Sequence, residues 1–293
     1  MKKLFIVLTM SIALISCTNE DESSENLTED PETYSESFER IGKAKSVFYS
    51  IPSPLETSSI LQKAGVTYNP KIMHDITKVN NYSTSYKQAI NFGVYAADLS
   101  YAGIYEQSQD ALFYLECLYK IADNLGLSTV FDASIYERLE RNSNNRDSLM
   151  QIISEVYLET DGFLKENHRE NIAALILAGG WIEGLYLGSY PLESNYDEAV
   201  AKTIAEQKLS YENLNSLLNT FPNDNAITDI KIALSDLEQH FNAIKVENKE
   251  TSVSTEENDG VTTIGGGSNV EFTKESILEL RAAVIKIRAD FIK

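Results

Sequence analysis

Apolar residues recur at three- and four-residue steps through most of the chain, strictly alternating runs are scarce, and prolines sit at the ends of the periodic stretches. That pattern predicts an all-α fold, a single multi-helix bundle or helical-hairpin array of about nine helices. The first reads from near Glu32 to Tyr49. A boundary follows at Ser53-Pro54-Leu55-Glu56, where Ser53 can cap, Pro54 suits the first helical position and Glu56 can return a bond to the cap. This helix should stop at Gly65. The next starts near Ser83 and carries Tyr86, Ile90, Val94, Tyr95, Leu99 and Ala102 on one broad face. A turn near Gly103 should lead to a helix from about Glu106 to Asn124, closed by Gly126.

Ser128 to Arg141 and Arg146 to Lys165 read as amphipathic helices joined by the polar link Asn142 to Asn145. Asn171 to Leu187 is apolar almost all round, which marks it as the buried central helix. Its Gly180, Gly184 and Gly188 stand four apart and would let another helix approach its backbone; Glu183 and the short length favour a soluble core over a membrane span. Pro191 ends that run, Ser194 should cap a long helix to Thr220, and Pro222 separates it from one over Asn225 to Val246. Residues 247–271 are expected as a flexible loop, polar and acidic as far as Gly260. Within it, Val261 to Phe272 suits either a small β-hairpin around Gly265-Gly266-Gly267 or a linker. Thr273 caps a last helix with Ile277, Leu280, Val284, Ile287 and Phe291 on its apolar side. One internal echo aligns Asp98-Leu99-Ser100-Tyr101-Ala102-Gly103 with Glu183-Gly184-Leu185-Tyr186-Leu187-Gly188 at an offset of 85; a duplicated helix pair and coincidence both account for it.

The N-terminus breaks the helical pattern. Lys2 and Lys3 precede an apolar run from Leu4 to Ile15, the shape of a signal peptide over 1–16 and too short for a membrane-spanning helix. Leu14-Ile15-Ser16-Cys17 resembles the bacterial lipobox, which implies cleavage before Cys17 and diacylglyceryl attachment to its thiol. Thr18 in place of aspartate resembles lipoproteins sent to the Gram-negative outer membrane. Asn19-Glu20-Asp21-Glu22 resembles the acidic export signal of surface lipoproteins, and the stretch 17–31 also reads as a solvated, disordered tether ahead of a helical domain over 32–293. Ile51-Pro52-Ser53-Pro54-Leu55-Glu56, followed by Asn91-Phe92-Gly93-Val94-Tyr95-Ala96-Ala97-Asp98-Leu99-Ser100-Tyr101, resembles an uncharacterised group of helical outer-membrane or surface lipoproteins, a resemblance that implies no activity.

Cleavage would remove Lys2 and Lys3 from the 25 basic residues and leave 23 against 44 acidic ones, a formal charge of −21. Nucleic acid is excluded as a partner by that balance, and an anionic lipid surface would repel the chain, so membrane attachment should rest on the lipid at Cys17. Cys117 is then the remaining cysteine, within an apolar run, and reads as a buried small hydrophobe.

Asp98 and Glu183 are the candidates for chemistry, since each interrupts an apolar helix where an ionised carboxylate is costly unless paired. Asn91, Tyr95, Asp98, Ala102 and Tyr105 follow one stripe. With Trp181 and Glu183 facing the same crevice they would line an aromatic, acidic pocket for a sugar or a cationic ligand. Two carboxylates in such a cleft could also hydrolyse a glycosidic bond of peptidoglycan or another glycan. The plainer reading has them accept bonds from tyrosine hydroxyls or cap helix N-termini. His74, His168 and His240 are scattered, no metal-ligand, nucleophile or phosphate-loop motif stands in the sequence, and no metal or cofactor is expected. The sequence therefore points to a lipid-anchored helical protein of the cell envelope that binds a partner protein or small ligand, with an envelope glycan hydrolase as the alternative.

Overall fold

A computed structural model describes residues 54–63, 65–142, 145–248, 252–255, 262–265 and 268–293. The lipid site at Cys17, the segments 1–16 and 17–31, the helix expected over 32–49 and the Ser53 cap lie outside the described residues. Those described form an all-α bundle with two small two-stranded antiparallel pairings. Its helices are α1 (Pro54–Lys63), α2 (Ser85–Ile104), α3 (Ser108–Asn124), α4 (Ala133–Arg141), α5 (Arg146–Glu166), α6 (Glu170–Ser189), α7 (Glu198–Glu206), α8 (Lys208–Leu218), α9 (Asn225–Asn242) and α10 (Lys274–Phe291).

Two helices of equal length, α2 and α6, form the axis of the bundle. They are apolar on nearly every side, so both are buried. By length and composition α6 could cross a membrane, yet every residue of its most apolar window is inside the protein. Glycines set the distance between the two. A Cβ on Gly93 would stand 1.9 Å from the carbonyl oxygen of Ile176, and one on Gly179 would stand 2.0 Å from that of Ile90. The close approach therefore runs through Gly93 and Gly179, and Gly188 instead receives Leu61 of α1. The two helices run parallel, because α1 touches the C-terminal end of each: Leu61 lies on Gly188, and the Gln62 side chain donates to the carbonyl of Ile104 at 2.9 Å.

Two kinds of neighbour recur around them. Gly188 of α6 packs on α1 as Gly103 of α2 packs on Leu149, Met150 and Ile153 of α5. Tyr95 of α2 lies 6.2 Å from Tyr114 of α3, and Trp181 of α6 lies 6.2 Å from Tyr211 of α8. Of the sequence echo, Gly103 and Gly188 are corresponding positions, and each receives a side chain from a different helix.

Helix ends follow local chemistry and move several expected boundaries. Among the described residues four have positive φ, Gly65, Glu106, Gly126 and His168, and each closes a helix with the paired backbone bonds of a Schellman turn. The turn after α2 falls at Glu106 rather than Gly103, which lies within the helix and is occupied by its contact with α5. The helix expected from Ser128 starts at Ala133, because Asp132 accepts the N–H groups of Ser134 and Ile135 while Ser128 bonds Asp123. The single helix expected from Ser194 to Thr220 is two. Asp197 caps the first of them through the N–H groups of Ala199 and Val200. A tightened bond from Gln207 to the Ile204 carbonyl breaks the path between α7 and α8. Thr273 and Ser276 form a reciprocal capping box at the start of α10.

Within 247–271 the strand pairing differs from a hairpin around the three glycines. Strand β1 (Lys245–Asn248) pairs antiparallel with β4 (Ser268–Glu271), and β2 (Ser252–Thr255) pairs with β3 (Thr262–Gly265). Gly265 is therefore a strand residue opposite Ser252.

The stretch 66–82, which carries little periodicity, lies as a strap across α2 and α3. It contains two short 3₁₀ turns, Pro70–Ile72 and Ile76–Asn81, capped by Asn69 and Asp75. Many of its backbone groups are satisfied by side chains from the bundle. Tyr101 accepts the Asn69 N–H and donates to the Thr67 carbonyl, both at 3.0 Å. Tyr105 donates to Val66, Tyr114 to His74 at 2.9 Å and Tyr95 to Asp75 at 3.0 Å.

Candidate functional site

Because α2 and α6 run parallel, Asp98 and Glu183 come to the same level of the bundle, and both side chains have zero exposure. Between them the interior holds one guanidinium. Arg288 of α10 forks onto Glu183, Nε to Oε2 at 2.8 Å and Nη2 to Oε1 at 2.9 Å, and Nη2 also reaches the carbonyl of Ile72 in the strap at 3.4 Å. The guanidinium carbon lies 4.3 Å over the ring of Tyr186, so aromatic face, carboxylate and carbonyl replace its water. Arg281, two turns earlier on α10, similarly meets the Tyr190 carbonyl at 3.2 Å and Glu193 at 2.8 Å. Together they bind α10 along α6.

Asp98 has a different environment. Its Oδ2 accepts the backbone N–H of His74 at 3.0 Å, and its Oδ1 is buried without a hydrogen-bond partner. Burial, and then the charge of Glu183, push its carboxyl well above the usual range, with Arg288 and the His74 N–H opposing them. For Glu183 burial also raises the pKa, opposed by the charge and hydrogen bonds of Arg288. His74 supplies no second cation. Burial, then Arg288 and Lys78, push its imidazole down to about 3, and its Nε2 shares a 2.5 Å hydrogen bond with the Tyr82 hydroxyl.

The remaining candidates divide between two neighbourhoods. Tyr95 lies tilted against His74, 4.8 Å between centroids, and so borders the carboxylate cluster. Tyr105 belongs with Tyr68 and Tyr101 at 5.7 and 4.9 Å, a group that pins the start of the strap while Tyr68 bonds Asp110. Trp181 is 1% exposed and packs against Tyr211 and Phe241, at 6.2 and 6.3 Å, with its indole N–H unpartnered. Asp98, Glu183 and Tyr95 thus share a surrounding, whereas Tyr105 and Trp181 serve others. Asn91, on the same stripe, donates to the Phe291 carbonyl at 2.9 Å and holds the end of α10.

Neither carboxylate faces an open cleft. A small apolar cavity near Leu99 is lined by Ala111, Leu112, Leu115, Leu139 and Leu149 and admits about one water-sized probe, 10 Å³. Cys117 is buried with its thiol 3.8 Å from the Ile76 carbonyl, and burial pushes that thiol up to about 12. Among the described residues no group of three His, Cys, Asp or Glu side chains is arranged to hold a metal. Asp236 pairs with Lys286 at 2.7 Å rather than with His240.

Two participants escaped the sequence reading. Arg288 had a readable signal: with Arg281 it flanks the apolar stripe of α10 at a spacing of seven, so both must leave water when the stripe docks. His74 had none, because it contributes its backbone N–H. No family model, no curated protein and no solved structure matches the chain.

Proposed function

We propose that this chain is a lipid-anchored protein of the bacterial cell envelope, held in the outer membrane through Cys17, whose helical domain binds a partner protein or small ligand without catalysing a reaction. The observation that carries the non-catalytic part is the pairing of Glu183. Both of its oxygens are occupied by Arg288 at zero exposure, and Asp98 is equally buried, so neither carboxylate is placed to protonate a glycosidic oxygen or activate water. Charge supports the anchoring part: a strongly acidic chain is repelled by anionic lipid, so attachment falls to the acyl group.

Fractionation of cells expressing Cys17→Ser tests the anchor, with loss of acyl labelling and release from the membrane expected; unchanged retention would refute it. Photo-crosslinking in intact cells, set against peptidoglycan digestion by the purified full chain, tests the domain. A specific crosslinked partner and intact glycan are expected. Digestion that disappears in Glu183→Gln would replace this reading with the hydrolase.

A further inference from the structure

At the level of Asp98 and Glu183 the interior holds these two carboxyl groups and one permanent cation, Arg288. Both arms of the Arg288 fork are engaged by Glu183, while Asp98 receives a single backbone N–H and keeps a buried oxygen without a partner. Were both carboxyls ionised, a full negative charge would stand uncompensated at zero exposure, which costs several kcal/mol even after relaxation. A proton on one of the two removes that charge, and Asp98 is the carboxyl that gives up no ion pair by taking it.

We infer that Asp98 is carried in the folded protein as the neutral acid, and that this buried proton keeps the strap 66–82 seated over the bundle. The strap is the cover that touches Asp98 directly, through the His74 N–H, and it is seated both by tyrosine hydroxyls and by the buried side chains of Val66, Ile72, Met73, Val79 and Tyr82. An ionised Asp98 gains water by lifting it.

The charged and titratable groups around Asp98 come from every packed element. On α6 these are Glu183 and Tyr186, and on α10 Arg288. From α3 come Tyr114 and Cys117, both held protonated first by burial. On α2 itself, burial raises Tyr95 and pushes Tyr101 up to about 12. The strap supplies neutral His74, Tyr68, Tyr82, and Asp75 and Lys78 at its outer side. No second cation reaches Asp98 from these elements.

The sign follows from linkage. A carboxyl whose folded pKa is raised contributes stability that is complete below its unfolded pKa and is lost as pH rises through the folded one. Asp98→Asn copies the neutral acid and removes the titration. In the full chain, the unfolding constant of wild type relative to Asp98→Asn should rise about tenfold per pH unit above about pH 4, for as long as only the unfolded chain is ionised at this position. An infrared carboxylic-acid band should be present in wild type at pH 7 and absent from Asp98→Asn. Hydrogen exchange corrected for intrinsic rates should show amides of 66–82 losing protection as pH rises in wild type and holding it in Asp98→Asn. A pH-independent ratio, no acid band at pH 7, equal strap protection in the two proteins, or an Asp98→Asn chain that cannot fold would each overturn the inference.

Discussion

Asp98 and Glu183 stand at one level of two parallel helices of equal length, both wholly buried, and differ in what the rest of the chain offers them. Glu183 lies on the side where α10 docks and receives a guanidinium with two short bonds. Asp98 lies on the side covered by the strap and receives a backbone N–H. Burial alone is therefore not what sets a carboxylate's state; the covering element decides it. A helix can present a long cation at the right height, whereas an irregular strap presents backbone dipoles. The two parallel helices differ at the layer above them, where the electrostatics are set.

The largest expected effect separates these two carboxyls. Arg288→Ala leaves Glu183 as an uncompensated buried charge and should cost about 3–5 kcal/mol, whereas Asp98→Asn should gain on wild type as pH rises from about 4 to 7 and be the more stable of the two at pH 7. Urea unfolding of the two variants measures the difference. Equal losses would mean that packing, and not the covering layer, distinguishes the halves.

Where the halves agree, at the glycine contact, substitutions should be symmetric. Gly93→Ala and Gly179→Ala each drive a methyl into a backbone carbonyl that cannot step aside, and each should cost about 3 kcal/mol. Gly103→Ala meets the flexible end of Met150 at 2.5 Å and should cost clearly less, with Gly188→Ala, against Leu61, in between. Thermal or urea unfolding of the four variants ranks them; a mild Gly93→Ala would show that the central pair can slide apart.

A finer asymmetry lies in the tyrosines. Tyr95→Phe and Tyr114→Phe remove hydroxyls that satisfy strap carbonyls and should each cost about 1 kcal/mol, with faster hydrogen exchange concentrated in 66–82. On the other half, Tyr211→Phe gives up only a 3.4 Å contact to Leu234 and should leave strap exchange unchanged. Uniform acceleration in all three would detach these hydroxyls from any role specific to the strap.

What could be read in the sequence tracks how local each determinant is. The wholly apolar α6, the face of α2 and the Thr273 cap are written in a few neighbouring residues, and each appears in the structure. The isolation of Asp98 and Glu183 within apolar helices flagged a real cluster. Its completion was not local: Glu183 finds Arg288 across 105 residues, and the strap takes its conformation from hydroxyls on α2 and α3 rather than from periodicity of its own. The break at Gln207 has no glycine or proline to announce it. At the crossing Gly93 and Gly179 meet backbone carbonyls and Gly180 of the regular series faces Gly93, while Gly188 of that series receives α1, because close approach selects residues by position on the facing surface and not by spacing along one helix.

The smallest expected effect concerns helix ends, where two Schellman turns use glycine and two do not. Gly65 and Gly126 adopt positive φ without a Cβ penalty; Glu106 and His168 adopt it at φ 59° and 54° with one. Glu106 is exposed and closes α2 at the site where the sequence placed the turn three residues early. Relieving its left-handed conformation with Glu106→Gly should gain about 0.5–1 kcal/mol after the greater freedom of glycine in the unfolded chain is subtracted, and Gly126→Ala should lose about 1 kcal/mol. In a chain of this size such changes move a melting temperature by about 2–4 °C, upward for Glu106→Gly and downward for Gly126→Ala. A drop on replacing Glu106 would mean that its side chain supports the turn by contacts that outweigh the backbone cost, making the glycine-free closures of α2 and α5 different in kind from those at Gly65 and Gly126.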